Sequence, residues 1–124
     1  MLDHVSIGVR GSAKSRPFYD AVFAAIGATR LHTGDGYAGY GRQEAQFWIQ
    51  DVSHPVPADM RPGLHFCFTA DSRAAVQAFH AAGLAHGGTD NGPPGVRPDY
   101  GPDYYAAFVI DPDGYRIEAH AHAG

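Results

Sequence analysis

The chain is poor in several things, and each shortage excludes something. Among its 124 residues there is one cysteine, Cys67. No disulfide framework can form inside the chain, and a reducing, cytoplasmic setting fits. No apolar run approaches the length of a membrane span, and the opening MLDHVSIG lacks the apolar core of a signal peptide. Net charge is −4, with acids and bases mixed along the chain, so there is no basic stripe for a nucleic acid. Lysine occurs once, as Lys14. What remains is 44% hydrophobic, enough for a real core, with 16 Gly and 9 Pro to make the turns between short strands. Eight histidines are many for this length and invite a metal.

Residues 2–9 (LDHVSIGV) alternate as a strand, with His4, Ser6 and Gly8 on one face and Val5, Ile7 and Val9 on the other. A helix follows over 12–27. Phe18, Val22 and Ile26 recur at four-residue spacing, Pro17 puts the regular start near Ser15, and Gly27 caps the end. Strands are expected at 28–33, 37–42 and 45–51. The proline-rich stretch 53–62 reads as a linker. Residues 63–70 (GLHFCFTA) form a strand with His65, Cys67 and Thr69 on one face. Asp71 or Ser72 then caps a helix over 72–83 that ends at Gly83, and a short strand is expected within 84–90. Residues 91–103 (NGPPGVRPDYGPD) read as a long loop. The chain closes on a hairpin, 104–121, turned by Asp111-Pro112-Asp113-Gly114. In its last strand Arg116, Glu118 and His120 share a face, and a mid-strand carboxylate such as Glu118 needs either water or a partner.

The order strand–helix–three strands occurs twice. SAKSRPFYDAVFAAIGA matches DSRAAVQAFHAAGLAHG, and YAGYGRQEAQFWIQ matches YAAFVIDPDGYRIEA. His4 corresponds to His65, Tyr37 to Tyr105, Tyr40 to Phe108, and Trp48 to Glu118. Such a repeat implies pseudo-two-fold symmetry and one cavity shared by the His4, His65, Trp48 and Glu118 faces.

On DHVSIGV, FYDAV, GLHFCF and DPDGYRIEAH the chain resembles the vicinal oxygen chelate superfamily, which includes glyoxalase I, bleomycin-resistance proteins, extradiol dioxygenases and fosfomycin-resistance transferases. The resemblance implies an α+β fold: two βαβββ modules form an eight-stranded, cup-shaped mixed sheet with helices outside. Module one would be 1–52 and module two 63–124 of a single domain. It also implies a homodimer, a small-molecule substrate and one divalent metal ion (Fe, Mn, Ni or Zn) held by His4, His65 and Glu118. Two imidazoles and a carboxylate leave positions open for a substrate with adjacent oxygens.

The pattern also departs from its named relatives. Trp48 stands where glyoxalase I has a carboxylate. Phe108 stands where extradiol dioxygenases have a catalytic tyrosine, and the lysine-bearing loop of the fosfomycin transferases is missing. Tyr104 and Arg97 are the expected catalytic residues. Trp48, Phe108, Tyr100, Arg116 and Cys67 are expected to line the substrate. His120 and His122 read as solvated, with a place beside the metal ligands as the alternative for His120, and His32, His54, His80 and His86 as surface or loop residues. The expected activity is a metal-dependent lyase or isomerase of glyoxalase type. The alternatives are a metal-free binding protein of bleomycin-resistance type and an Fe(II) dioxygenase.

Overall fold

The computed structural model describes residues 1–57 and 63–122, so residues 58–62 of the expected linker lie outside it. The first half of the chain runs β1 (Val5–Val9), α1 (Ser12–Ala25), β2 (Thr29–Gly34), β3 (Tyr37–Gly41) and β4 (Phe47–Asp51). The second half repeats that order as β5 (His65–Thr69), α2 (Arg73–Ala85), β6 (Thr89–Val96), β7 (Tyr105–Ile110) and β8 (Arg116–Ala121). The fold is α+β, built from two βαβββ modules, each with its own mixed four-stranded sheet. The strand orders are β1-β4-β3-β2 and β5-β8-β7-β6. In each, the first strand pairs parallel with the last, because a helix and two strands intervene. The last three strands pair antiparallel.

The alternation in β1 and β5 becomes two unlike faces. Ile7, Val9, Ile49, Ile117 and Ala119 are buried on the core side, where the helices lie. Both helices and both apolar sheet faces join one cluster. Phe47 and Phe23 of the first module pack on Phe68 of the second, with ring centroids 5.3 and 4.9 Å apart. The polar sheet faces therefore point away from this shared core.

Four local expectations need correction. Helix α1 begins at Ser12, three residues before Ser15, because Asp51 at the end of β4 accepts the Ser12 N–H at 2.6 Å. A carboxylate at a helix N-terminus suits the dipole, and the Ser12 N–H holds the Asp51 pKa below its usual value. Pro17 therefore lies inside the helix, where its missing N–H forfeits one bond. Helix α2, capped by Ser72 Oγ on the Ala75 N–H at 3.1 Å, runs past Gly83 to Ala85. Gly83 is there for close packing, since a Cβ would sit 3.0 Å from Val109 Cγ1. The strand foreseen within 84–90 begins at Thr89 and extends into the expected 91–103 loop as far as Val96. Strand β6 is an edge strand with two register slips, at Asp90/Gly92 and Gly92/Gly95, so Pro93 and Pro94 withhold no N–H from a central ladder. Finally, register equates Gly39, not Tyr40, with Phe108. Tyr40 is buried on the core side.

The Asp111–Gly114 turn also clasps the two modules. Asp111 Oδ1 accepts the Asp113 and Tyr115 N–H groups, both at 2.8 Å, while Tyr19 of α1 donates its hydroxyl to Oδ2 at 2.5 Å. Tyr115 donates its hydroxyl to the Gly8 carbonyl at 2.6 Å, and Asp113 accepts the Arg10 N–H at 3.0 Å. Gly114, at φ +98°, supplies the left-handed residue of the turn. Among the described residues no helix is long and apolar enough to cross a membrane.

Candidate functional site

Strand register lines up one row of side chains across the polar face of each sheet. In the second sheet the row is Cys67, Glu118, Phe108 and Gly92. In the first it is Ser6, Trp48, Gly39 and His32. Trp48 thus occupies the place of Glu118. His4 and His65 each lie two residues before the equivalent positions Ser6 and Cys67.

Glu118 is the focus of the second row. It is 3% exposed, yet each carboxylate oxygen has a partner. His65 Nε2 lies 2.9 Å from Oε1, and Tyr104 donates its hydroxyl to Oε2 at 2.7 Å. Burial of such a charge demands this compensation. Arg42 and Arg116 do not supply it: Arg42 pairs with Asp71 at 3.3 Å and donates to the Ile26 carbonyl, while Arg116 lies opposite His65 in the ladder.

Tyr104 is held from both sides. Its ring stacks on His120 with centroids 3.6 Å apart and planes 17° apart, and Tyr100 meets it edge-on at 5.3 Å. Burial first, and then the bond to Glu118, raise the Tyr104 pKa well above its ordinary value, so this hydroxyl keeps its proton. Burial and the nearby Glu118 charge push the Cys67 thiol up to about 12, which makes it a neutral lining group, although part of its surface is open on the edge strand. Burial and the neighbouring His122 lower the His120 pKa, and its buried Nε2 has no hydrogen-bond partner among the described residues. The Arg97 guanidinium lies over the Phe108 ring, 5.3 Å from its centroid, and donates to the Pro93 carbonyl at 2.6 Å. Phe108 in turn lies 6.1 Å from His65.

The structure thus brings His65, Glu118, Tyr104, Cys67, Phe108 and Arg97 onto one face, with Tyr100 exposed at its rim. It does not bring His4 there. His4 is exposed ahead of β1, and its Nδ1 lies 2.7 Å from Asp3 Oδ1. Among the described residues of the single chain, no group of three or more His, Cys, Asp or Glu side chains is placed to hold a metal. Trp48 sits on the polar face of the first sheet beside a cavity of about 460 Å³ lined by His4, Ser6, Tyr37 and Gln50. A larger groove of about 610 Å³ runs between the modules, from His4 to His65 across Phe47, Phe66 and Phe68.

Two residues sit closer to the site rows than their main reading from sequence placed them. His120 packs on Tyr104, which its parity with Glu118 hinted at. His32 stacks on Trp48, and its only signal is a cross-strand register that the sequence does not display.

The profile of the Glyoxalase/Bleomycin resistance protein/Dioxygenase superfamily matches residues 1–119. The chain belongs to this superfamily. A glyoxalase/bleomycin resistance protein from Albidiferax ferrireducens T118 is 35% identical, with 98% of each chain covered and a TM-score of 0.84. A superfamily enzyme from Burkholderia phytofirmans PsJN is 17% identical, with 96% of each chain covered and a TM-score of 0.73. A variant of the fosfomycin resistance protein FosX from Listeria monocytogenes is 16% identical, covering 97% of this chain and 88% of its own, with a TM-score of 0.70. That variant was solved with Mn(II) and 1S,2S-dihydroxypropylphosphonic acid. The latter two likenesses are of fold. No curated protein matches the chain.

Proposed function

We propose that the protein is a divalent-metal-dependent, glyoxalase-like enzyme of lyase or isomerase type, acting on a small substrate with vicinal oxygens. The observation that carries this reading is the buried Glu118 carboxylate, held between His65 and Tyr104. His65 Nε2 and Glu118 Oε1 are 2.9 Å apart, and a nitrogen and an anionic oxygen so close on adjacent strands suit a borderline divalent cation such as Fe, Mn, Ni or Zn. The FosX variant, a neighbour in fold, was solved with Mn(II) and a vicinal diol, a pairing of the kind this reading expects. A bound cation would polarise the substrate oxygens and stabilise negative charge developing on them.

The chain's own residues do the rest. Tyr104 keeps a proton at its hydroxyl, beside the reacting oxygens, and donates a hydrogen bond to the charge that builds there. Arg97 faces the same site and meets a substrate anion. Phe108 and Trp48 exclude water from the apolar part of the ligand.

A third metal ligand must come from elsewhere, because the polar faces point away from the shared core. The reading therefore includes a homodimer in which His4 and Trp48 of one chain meet His65 and Glu118 of the second copy. Untagged protein offered Mn, Fe, Ni and Zn in turn should retain about one ion per site, and His65→Ala should retain none. If wild type and His65→Ala stay equally metal-free, the metal-free binding protein replaces the enzyme. Co-expressed His4→Ala and His65→Ala chains should recover roughly a quarter of the wild-type metal per chain, since half the dimers are mixed and each holds one intact site. Metal recovery that stays at zero in that mixture rules out the shared site.

A further inference from the structure

Glu118 gives the second sheet its chemistry, and the equivalent row of the first sheet carries no acid. There Ser6 and Gly39 flank Trp48, and Gly8 lies on the same face. Small residues leave this face hollow, and rings fill it. The indole lies over β3 because Gly39 has no side chain: a Cβ at Gly39 would sit 2.7 Å from Trp48 Cζ3. Reaching across that glycine, the indole stacks on His32 of β2, with planes 17° apart and centroids 5.4 Å apart. Tyr37 closes the third side, 6.4 Å from the indole and 43% exposed. An aromatic ring over a strand glycine has a plain structural use, which is to shield the bare backbone. Tyr37 has the same use, since its ring lies over Gly34 where a Cβ would meet it, but shielding a glycine does not account for the histidine stacked on the indole beside a cavity of about 460 Å³.

The second sheet repeats the device. Phe108 covers Gly92, where a Cβ would lie 2.9 Å from its Cδ1, and the Arg97 guanidinium caps the ring. Each polar face thus carries a ring flattened over a glycine in the same row. One of these rings is backed by a histidine and the other by a cation.

We propose that the Trp48–His32–Tyr37 platform binds a planar aromatic ring, which makes the substrate class of the proposed enzyme an aromatic compound that carries its reacting oxygens as substituents. This last clause, and the closing of the site by a second copy, rest on the metal-enzyme reading. The ring-binding platform stands on the first sheet alone. Offset stacking on the indole holds the ring, and in the proposed dimer Phe108 of the second copy closes over the other side.

Trp48 is the chain's single tryptophan, so its indole N–H gives one signal in a nitrogen–proton correlation spectrum, and that signal reports on the platform directly. Protein stripped of metal is titrated with benzoate and, separately, with cyclohexanecarboxylate, which has the same charge but no aromatic ring. Benzoate should move the indole signal saturably, and cyclohexanecarboxylate should leave it in place. His32→Ala, at an exposed site that need not disturb folding, should weaken benzoate by about 2- to 12-fold, the worth of one aromatic pair. Gly39→Val should displace the indole and abolish the response. No saturable shift, equal binding of both acids, or an unchanged affinity in His32→Ala overturns the proposal. The same titration on Glu118→Gln keeps the two readings separate. Glu118→Gln, which loses the metal, should keep the benzoate response; in the wild type, benzoate binding without metal uptake sinks the enzyme and spares the platform, and metal uptake without a benzoate response does the reverse.

Discussion

Asp111→Ala is expected to lower the unfolding free energy by about 3–5 kcal/mol, read as a fall in the denaturant midpoint at unchanged slope. The substitution removes one acceptor from three donors: the Asp113 and Tyr115 N–H groups and the hydroxyl of the fully buried Tyr19. Each stranded donor costs about 1–3 kcal/mol, and relaxation recovers part of the total. Asp111→Asn keeps an acceptor for the turn and should cost far less. It also isolates a pH effect. Burial pushes the Asp111 carboxyl up to about 6 from 3.8, against the Tyr19 hydroxyl and the two N–H groups, which favour the anion. A raised acid pKa means that the folded chain holds a proton which the unfolded chain releases. The associated stability is fully present below pH ~4, is lost as the pH rises to about 6, and amounts to about 3 kcal/mol at most. Wild type should therefore lose stability across that window, relative to Asp111→Asn. Parallel stability–pH curves for the two proteins would remove this account of the clasp.

Glu118→Gln is expected to cut metal uptake by at least about 100-fold while leaving the protein folded. The amide keeps the size of the side chain and an oxygen for the Tyr104 hydroxyl, now 2.7 Å from Oε2. It lacks the charge that makes the carboxylate a ligand. Replacing a buried anion by a neutral isostere costs little stability and can raise it. Metal content and thermal midpoint measured on one preparation separate the two effects. Retention of metal by Glu118→Gln would remove the carboxylate from the metal site, and a collapsed midpoint would make Glu118 a structural group.

The module repeat was legible because each half carries its own periodicities: alternation through VSIGV and HFCFT, and four-residue spacing in the first helix. The pairing of His4 with His65, and of Trp48 with Glu118, followed from that repeat, and strand register repeats both. The misread features depend on contacts between distant residues. Asp51 fixes the start of α1 from 39 positions away. Strand β6 owes its tolerance of Pro93 and Pro94 to lying at a sheet edge, and edge position is a property of topology. Gly83 resembles a helix stop in sequence, but its role is set by Val109 across the core. In the site, Glu118 stood out as an acid within a strand, whereas the Tyr104–His120 stack and the Trp48–His32 stack join residues on separate elements. The arrangement of the two polar faces around a common core was likewise beyond the repeat alone, which specifies each module and not how one packs on the other.

The clasp formed by the Asp111 turn also has a bearing on time. Tyr19 is made 92 residues before Asp111, and Gly8 is made 107 residues before Tyr115. At roughly 5–20 residues per second, the first module spends about 5–20 s of synthesis without the turn that anchors its helix. Over the first part of that interval Phe23 also waits for Phe68, made 45 residues after it, and Phe47 waits for the same ring over 21 residues. The N-terminal half is thus the part of the nascent chain most in need of shelter, and the last hairpin to be translated is what ends its exposure.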